Sequence, residues 1–151
     1  MKPRVMGIDY GTARIGVALS DELQMLAHPT ETITVAKTPN PAARIAVIAQ
    51  EKNVECIVVG LPRHMNGSEG ASAEVARAFA EKLKTLVTCE VRTWDERLST
   101  VAAQRALQAV GKKSRQTRGI IDQVAAQMLL QSYLDSLPVN QGGGFEAVDF
   151  A

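Results

Sequence analysis

An apolar run from Val5 to Ile8 climbs to a single carboxylate, Asp9, breaks at Tyr10-Gly11-Thr12, and resumes from Ile15 through Leu19. Both arms are short and rich in Val and Ile, and Gly11 permits a positive-φ turn, so the pattern predicts a β-hairpin with Asp9 at its rim. Thr30 to Ala36 is β-branched and partly alternating, which predicts a third strand with one wetter face, completing a three-stranded meander. Pro39 and Pro41 then punctuate the chain. Thr38 is placed to cap a helix running to about Asn53, with Ala42, Ile45, Ile48 and Ala49 as its apolar stripe.

Val54 to Gly60 is almost continuously apolar, the pattern of a strand buried on both faces in a parallel sheet. It empties into a polar, glycine-containing loop from Leu61 to Gly70. A helix carrying Val75, Phe79, Leu83 and Leu86 follows, ending near Val87. Cys89 to Trp94 reads as a fifth strand ending at Asp95-Glu96-Arg97. Ser99 or Thr100 can cap a helix through Val101, Leu107 and Val110 that Gly111 closes. After a basic loop, Lys112 to Arg118, a mostly buried helix runs from Ile120 to about Ser136 with Asp122 in its first turn. The pattern specifies an α/β fold, a mixed five-stranded sheet with helices on both faces, over residues 1–138. A flexible Gly-rich tail occupies 139–151.

Bulk properties narrow the function classes. The chain has 151 residues, enough for one well-buried domain, with 46% hydrophobic and 22% charged residues, as in a soluble globule. The net charge of +1 gives no global field toward nucleic acid, so such binding must rest on a local basic patch. Asp9 arrives before any apolar stretch long enough for a signal peptide, and no run approaches a membrane span. Cys56 and Cys89 lack metal-ligand spacing and fall in predicted buried strands. They read as reduced core residues of a cytoplasmic protein.

In such sheets ligands gather at the carboxyl ends of the parallel strands. Those ends carry Asp9, the loop from Leu61 to Gly70, and Asp95-Glu96, and Asp122 can face them from the last helix. Three carboxylates in one cleft would repel and raise one another's pKa values unless a cation neutralises them. Oxygen-only ligands select Mg²⁺ or Mn²⁺, and two such ions are the usual device for in-line phosphodiester hydrolysis, with Asp9 bridging them and Glu96 and Asp122 completing their shells. Plainer roles exist for each acid: a turn aspartate at Asp9, a surface ion pair of Glu96 with Arg97, and a helix-start charge at Asp122. Arg14, Arg63, Arg97, Lys112, Lys113, Arg115 and Arg118 fall near the same rim and can hold phosphates, or simply be solvated. His64 reads as a solvated loop histidine.

Four stretches together resemble the motifs of the YqgF family, also called RuvX. They are Gly7 to Ala18 (GIDYGTARIGVA), Val58 to Gly70 (VVGLP and NGSEG), Asp95 to Thr100 (DERLST), and Ile121 to Asp135 (IDQVAA and LQSYLD). The resemblance covers all but the tail, in order. It implies an RNase H-like fold, a Holliday-junction-resolvase-like nuclease acting in 5′-end maturation of pre-16S ribosomal RNA, and a divalent-metal site on Asp9, Glu96 and Asp122. Asp95 is a supporting candidate beside Glu96. Partners on this reading are precursor ribosomal RNA or branched DNA, and ribosomal particles.

Other classes stay open. The same site could resolve branched DNA. Asp-Tyr-Gly before a hairpin also resembles the first phosphate motif of actin-like ATPases, although those need a second domain for which 151 residues leave no room. A non-catalytic RNA- or ribosome-binding module would keep the acidic rim without using it.

Overall fold

In a computed structural model, which describes residues 2–62, 70–96 and 115–138, five strands form one sheet. They are β1 (Arg4–Tyr10), β2 (Arg14–Ser20), β3 (Ala27–Thr34), β4 (Val54–Leu61) and β5 (Glu90–Asp95), in the order β3-β2-β1-β4-β5. β2 runs antiparallel to both its neighbours, whereas β1, β4 and β5 are parallel. The meander and the mixed sheet are therefore as the pattern predicts. Three helices cover the sheet: α1 (Pro41–Glu51) and α2 (Ala71–Lys84) on one face, and α3 (Arg115–Ser136) on the other.

Strand side chains alternate between the faces with a period of two. On the α1/α2 face Met6, Ile8, Ile15, Val17, Ile57, Val59 and Leu61 pack against Ile45, Ile48, Phe79 and Leu83. Tyr10 extends this layer toward the rim, its ring centroid 4.5 Å from that of Phe79. On the α3 face Val5, Ala18, Cys56 and Val58 meet Ala126, Leu130, Tyr133 and Leu134. The α3 face also carries glycines where the other carries branched side chains. A Cβ on Gly7 would stand 2.7 Å from Leu130 Cβ, and one on Gly60 would stand 2.9 Å from Leu129 Cδ2. Bare backbone at these positions lets α3 lie close against the sheet.

Several element ends differ from the sequence expectation. α1 is capped by Asn40, whose side chain accepts from Ala43 N at 3.2 Å, rather than by Thr38, and it stops at Glu51. Pro41 then occupies the first turn, where its missing N–H is no loss. β3 begins at Ala27, and the last two residues of the expected strand, Val35 and Ala36, instead belong to a 3₁₀ turn, Val35–Lys37. Pro29 is tolerated inside it because β3 is an edge strand. α2 ends at Lys84 rather than near Val87; it buries Ala73, Ala76 and Ala80 beside Phe79 and Leu83 and leaves Val75 exposed, as is Leu86 just beyond it. Cys56 is buried and Cys89 is half-buried just before β5, both as free thiols. α3 starts at Arg115, five residues ahead of the expected start at Ile120. The expected helix from Ser99 to Gly111 and the 139–151 tail lie outside the described residues.

Two polar ties fix α3 across the sheet. At one edge Gln131 accepts from Ala27 N (2.9 Å) and donates to Met25 O (2.8 Å), while Gln127 donates to Ala27 O (3.0 Å). At the other edge Arg92 of β5 donates to the Tyr133 hydroxyl at 2.5 Å, and the Trp94 indole donates to Ser132 Oγ at 3.2 Å. The helix is thus held to β3 and β5 at once.

Candidate active site

Asp9 is the penultimate residue of β1 and pairs across the ladder with Gly16 of β2. Val5 and Gly7 meet α3, so the strand alternation puts Asp9 on the same face. Asp9 is nonetheless 7% exposed, a buried carboxylate at the carboxyl end of a central strand. Glu96 directly follows the last residue of β5 and is 6% exposed. Along the rim β1 and β5 flank β4, which separates them by about 10 Å of sheet. Asp9, Glu96 and Ser20 are the buried polar residues among those described. Ser20 has a structural role, since its hydroxyl accepts from Val5 N and donates to Asp21 O at the opposite end of the sheet.

Asp122 reaches the rim from the helix. A Cβ on Gly16 would collide with the Asp122 carbonyl oxygen, so α3 backbone lies directly on the strand residue paired with Asp9. Because α3 begins at Arg115, Asp122 sits about two turns inside it. Its charge is therefore not one favoured by a helix start, because that effect fades within the first turn. The Asp122 carboxylate instead accepts from Arg14 Nε at 2.6 Å, with side-chain exposures of 18% and 35%. Arg14 opens β2 and lies two residues before Gly16, on the same face.

The rim thus brings Asp9, Asp122 and Arg14 onto one side of the sheet, with Glu96 just past the end of β5, the parallel strand beyond β4. Asp95 closes β5 opposite Leu61 of β4. Among the described residues no three of His, Cys, Asp and Glu are gathered tightly enough to enclose an ion, and the Asp122 oxygen is engaged by Arg14. The donor chemistry itself fits a hard divalent cation: carboxylate oxygens only, two of the three acids buried, set on a strand, just past a strand end and on a helix. Arg63, His64, Arg97, Lys112 and Lys113 lie outside the described residues. Arg115 and Arg118 belong to the start of α3, with their side chains outside the described part. The Arg14 to Asp122 pairing was not expected from the sequence, since 108 positions separate the two residues.

A central mixed sheet in the order β3-β2-β1-β4-β5, with acids at the carboxyl rim, defines the RNase H-like class of folds. Thermus thermophilus RuvC, solved with a Holliday junction substrate, superposes with a TM-score of 0.53 at 14% identity, covering 87% of this chain and 93% of that one. Fowlpox virus resolvase, solved with Holliday junction DNA, gives 0.54 at 11% identity, covering 89% and 99%. The particular family follows from sequence. The RuvX family model, described as Holliday junction resolvase, matches residues 3–136, and this chain belongs to that family. A relative from Endomicrobium trichonymphae is 48% identical over 87% of this chain and 95% of its own length. One from Bacillus mycoides is 42% identical over 88% and 98%. Both carry the name "Putative pre-16S rRNA nuclease".

Proposed function

We propose that this chain is a divalent-metal-dependent nuclease that hydrolyses phosphodiester bonds of precursor 16S ribosomal RNA, acting in 5′-end maturation in the cytoplasm. The names of its relatives support the substrate. One observation carries the chemistry: two carboxylates, Asp9 and Glu96, are buried at the carboxyl rim of the sheet, beside a helix that sets Asp122 over the strand partner of Asp9. Carboxylates are rarely buried, and a pair of them at the carboxyl ends of parallel strands is the donor chemistry a hard divalent cation takes.

Asp9, Glu96 and Asp122 would hold Mg²⁺ or Mn²⁺, two ions on this reading. Bound there, such ions would supply activation of water and stabilisation of the leaving oxygen in an in-line displacement. The chain's own part is positioning. Pairing with Gly16 fixes Asp9 on a rigid strand, and α3 fixes Asp122. The cations Arg14, Arg63, Arg97, Lys112, Arg115 and Arg118 would grip phosphates flanking the scissile one, for which the forked donors of arginine are suited.

The test is cleavage of a labelled precursor 16S RNA fragment, with a four-way DNA junction in parallel, by wild type and Asp9→Asn under Mg²⁺ and Mn²⁺. RNA cleavage that requires metal and falls at least about hundredfold in the variant is expected, since even partners behind a metal ligand are worth 10–100-fold. Preferential cutting of the junction would move the substrate to branched DNA, the activity named in the family's description. Tight RNA binding without any cleavage would make the chain a binding module.

A further inference from the structure

We propose that Arg14 is an internal counter-cation for Asp122, displaced when a divalent ion takes that carboxylate and thereby released to a substrate phosphate. The inference rests on the metal-dependent reading above and adds the order of events at its site. Two observations lead to it. Asp122 and Arg14 form a close charge-assisted hydrogen bond, 2.6 Å from Nε to Oδ2. Asp122 lies over Gly16, between Arg14 two residues back along β2 and Asp9 directly across the ladder. Its carboxylate therefore rests on the Arg14 guanidinium, on the face of the sheet that also carries Asp9.

Asp9 and Asp122 carry like charge on one face of the sheet, which disfavours their approach while no ion lies between them. Arg14 removes that conflict by drawing the Asp122 oxygen along the strand. This accounts for three acids on one rim that are not gathered as an ion cage among the described residues. A divalent ion has twice the charge of the guanidinium and oxygen-only preference, so it competes for the same Asp122 oxygen. The pair is also partly open, at 35% and 18% exposure, so water and ions can reach it and the exchange needs no unfolding. Arg14 is then left at the rim with its fork of donors unused, beside the place where a phosphate backbone would lie. Arg14 is a positioning residue in the metal-free protein and a phosphate contact in the loaded one.

The experiment is titration of the full-length, metal-stripped protein with Mn²⁺ alone, followed by calorimetry, together with thermal melting with and without Mn²⁺. Wild type, Arg14→Gln, Arg14→Lys, Asp122→Asn, the Arg14→Gln/Asp122→Asn double variant and Asp9→Asn are compared. The proposal expects Arg14→Gln to bind Mn²⁺ about five- to tenfold more tightly than wild type, with Arg14→Lys between them. It also expects the double variant to bind no more tightly than Asp122→Asn alone. Arg14→Gln should melt below wild type without metal and level with it at saturating Mn²⁺. Unchanged or weaker Mn²⁺ binding in both Arg14 variants, with binding still lost in Asp9→Asn, would overturn the counter-cation while leaving the metal site standing. Mn²⁺ binding that survives Asp9→Asn, or is absent from wild type, would overturn the metal reading and the counter-cation with it.

Discussion

The two faces of the sheet are built from opposite materials. Toward α1 and α2 the strands present Met6, Ile8, Ile15, Val17, Ile57, Val59 and Leu61, all fully buried and aliphatic. Toward α3 they present Gly7, Gly16 and Gly60, with Asp9 and Arg14 at the rim and Arg92 and Trp94 at the β5 edge. The first face gains stability by removing large apolar area from water. The second forgoes much of that area and gains close approach. Its glycines bring helix backbone onto the strands, and with it a carboxylate and its partner cation. On the proposed site, stability and chemistry are divided between two sides of one sheet.

The largest effect expected from breaking this division is on the aliphatic face. Leu83→Ala deletes a fully buried side chain and should cost about 2–5 kcal/mol in denaturant unfolding. The cleavage rate per folded molecule should stay at the wild-type value. A rate that fell with stability would show that the faces are not independent.

Gly16→Ala is the counterpart on the α3 face. Its Cβ meets the Asp122 carbonyl, which is backbone and cannot swing aside, so the helix must shift at a cost of about 1–3 kcal/mol. A displacement near 1 Å at a reacting centre is worth about hundredfold in rate, and cleavage should fall by about that much while the protein remains folded. Gly60→Ala serves as the control, because its Cβ meets only the flexible end of Leu129, at 2.9 and 3.0 Å. Melting and cleavage assays on the two variants should rank Gly16 well above Gly60.

The smallest effect belongs to Cys56, buried on the α3 face at the end away from the rim. Burial pushes its thiol from the ordinary value of 9.0 up to about 11, against a smaller opposing pull from Arg92. The folded chain therefore keeps this proton where the unfolded chain loses it. That contribution is full below about pH 9 and disappears as pH rises toward about 11. Unfolding curves at pH 8 and pH 10.5 should show a larger alkaline loss in wild type than in Cys56→Ala.

The sequence was legible where one residue type dominates a local pattern. Val54 to Gly60 reads as a buried strand and the Val/Ile arms around Gly11 as a hairpin, so the meander, the mixed sheet and the rim position of Asp9 were all accessible. It was less legible where packing uses small residues. Ala73, Ala76 and Ala80 form the buried stripe of α2, yet they are weaker signals than Val75 and Leu86, which the fold leaves outside. The start of α3 was hidden because Arg115-Gln116-Thr117-Arg118-Gly119 has no apolar face and contains a glycine, although it is helical. At the site, three acids could be named one by one from element ends and motifs. What the sequence could not express was distance: that Gly16 admits the Asp122 backbone, and that Arg14 reaches a carboxylate 108 positions away.

The most direct test of the central claim, that the α3-side rim is a metal centre, is crystallographic. Crystals of the full-length protein soaked in Mn²⁺ and measured at the manganese absorption edge should show anomalous density contacted by Asp9, Glu96 and Asp122. Arg14 should have moved off Asp122 in the same maps. Anomalous density elsewhere, or a saturated crystal with Asp122 still on Arg14 and no ion at Asp9, would contradict the account.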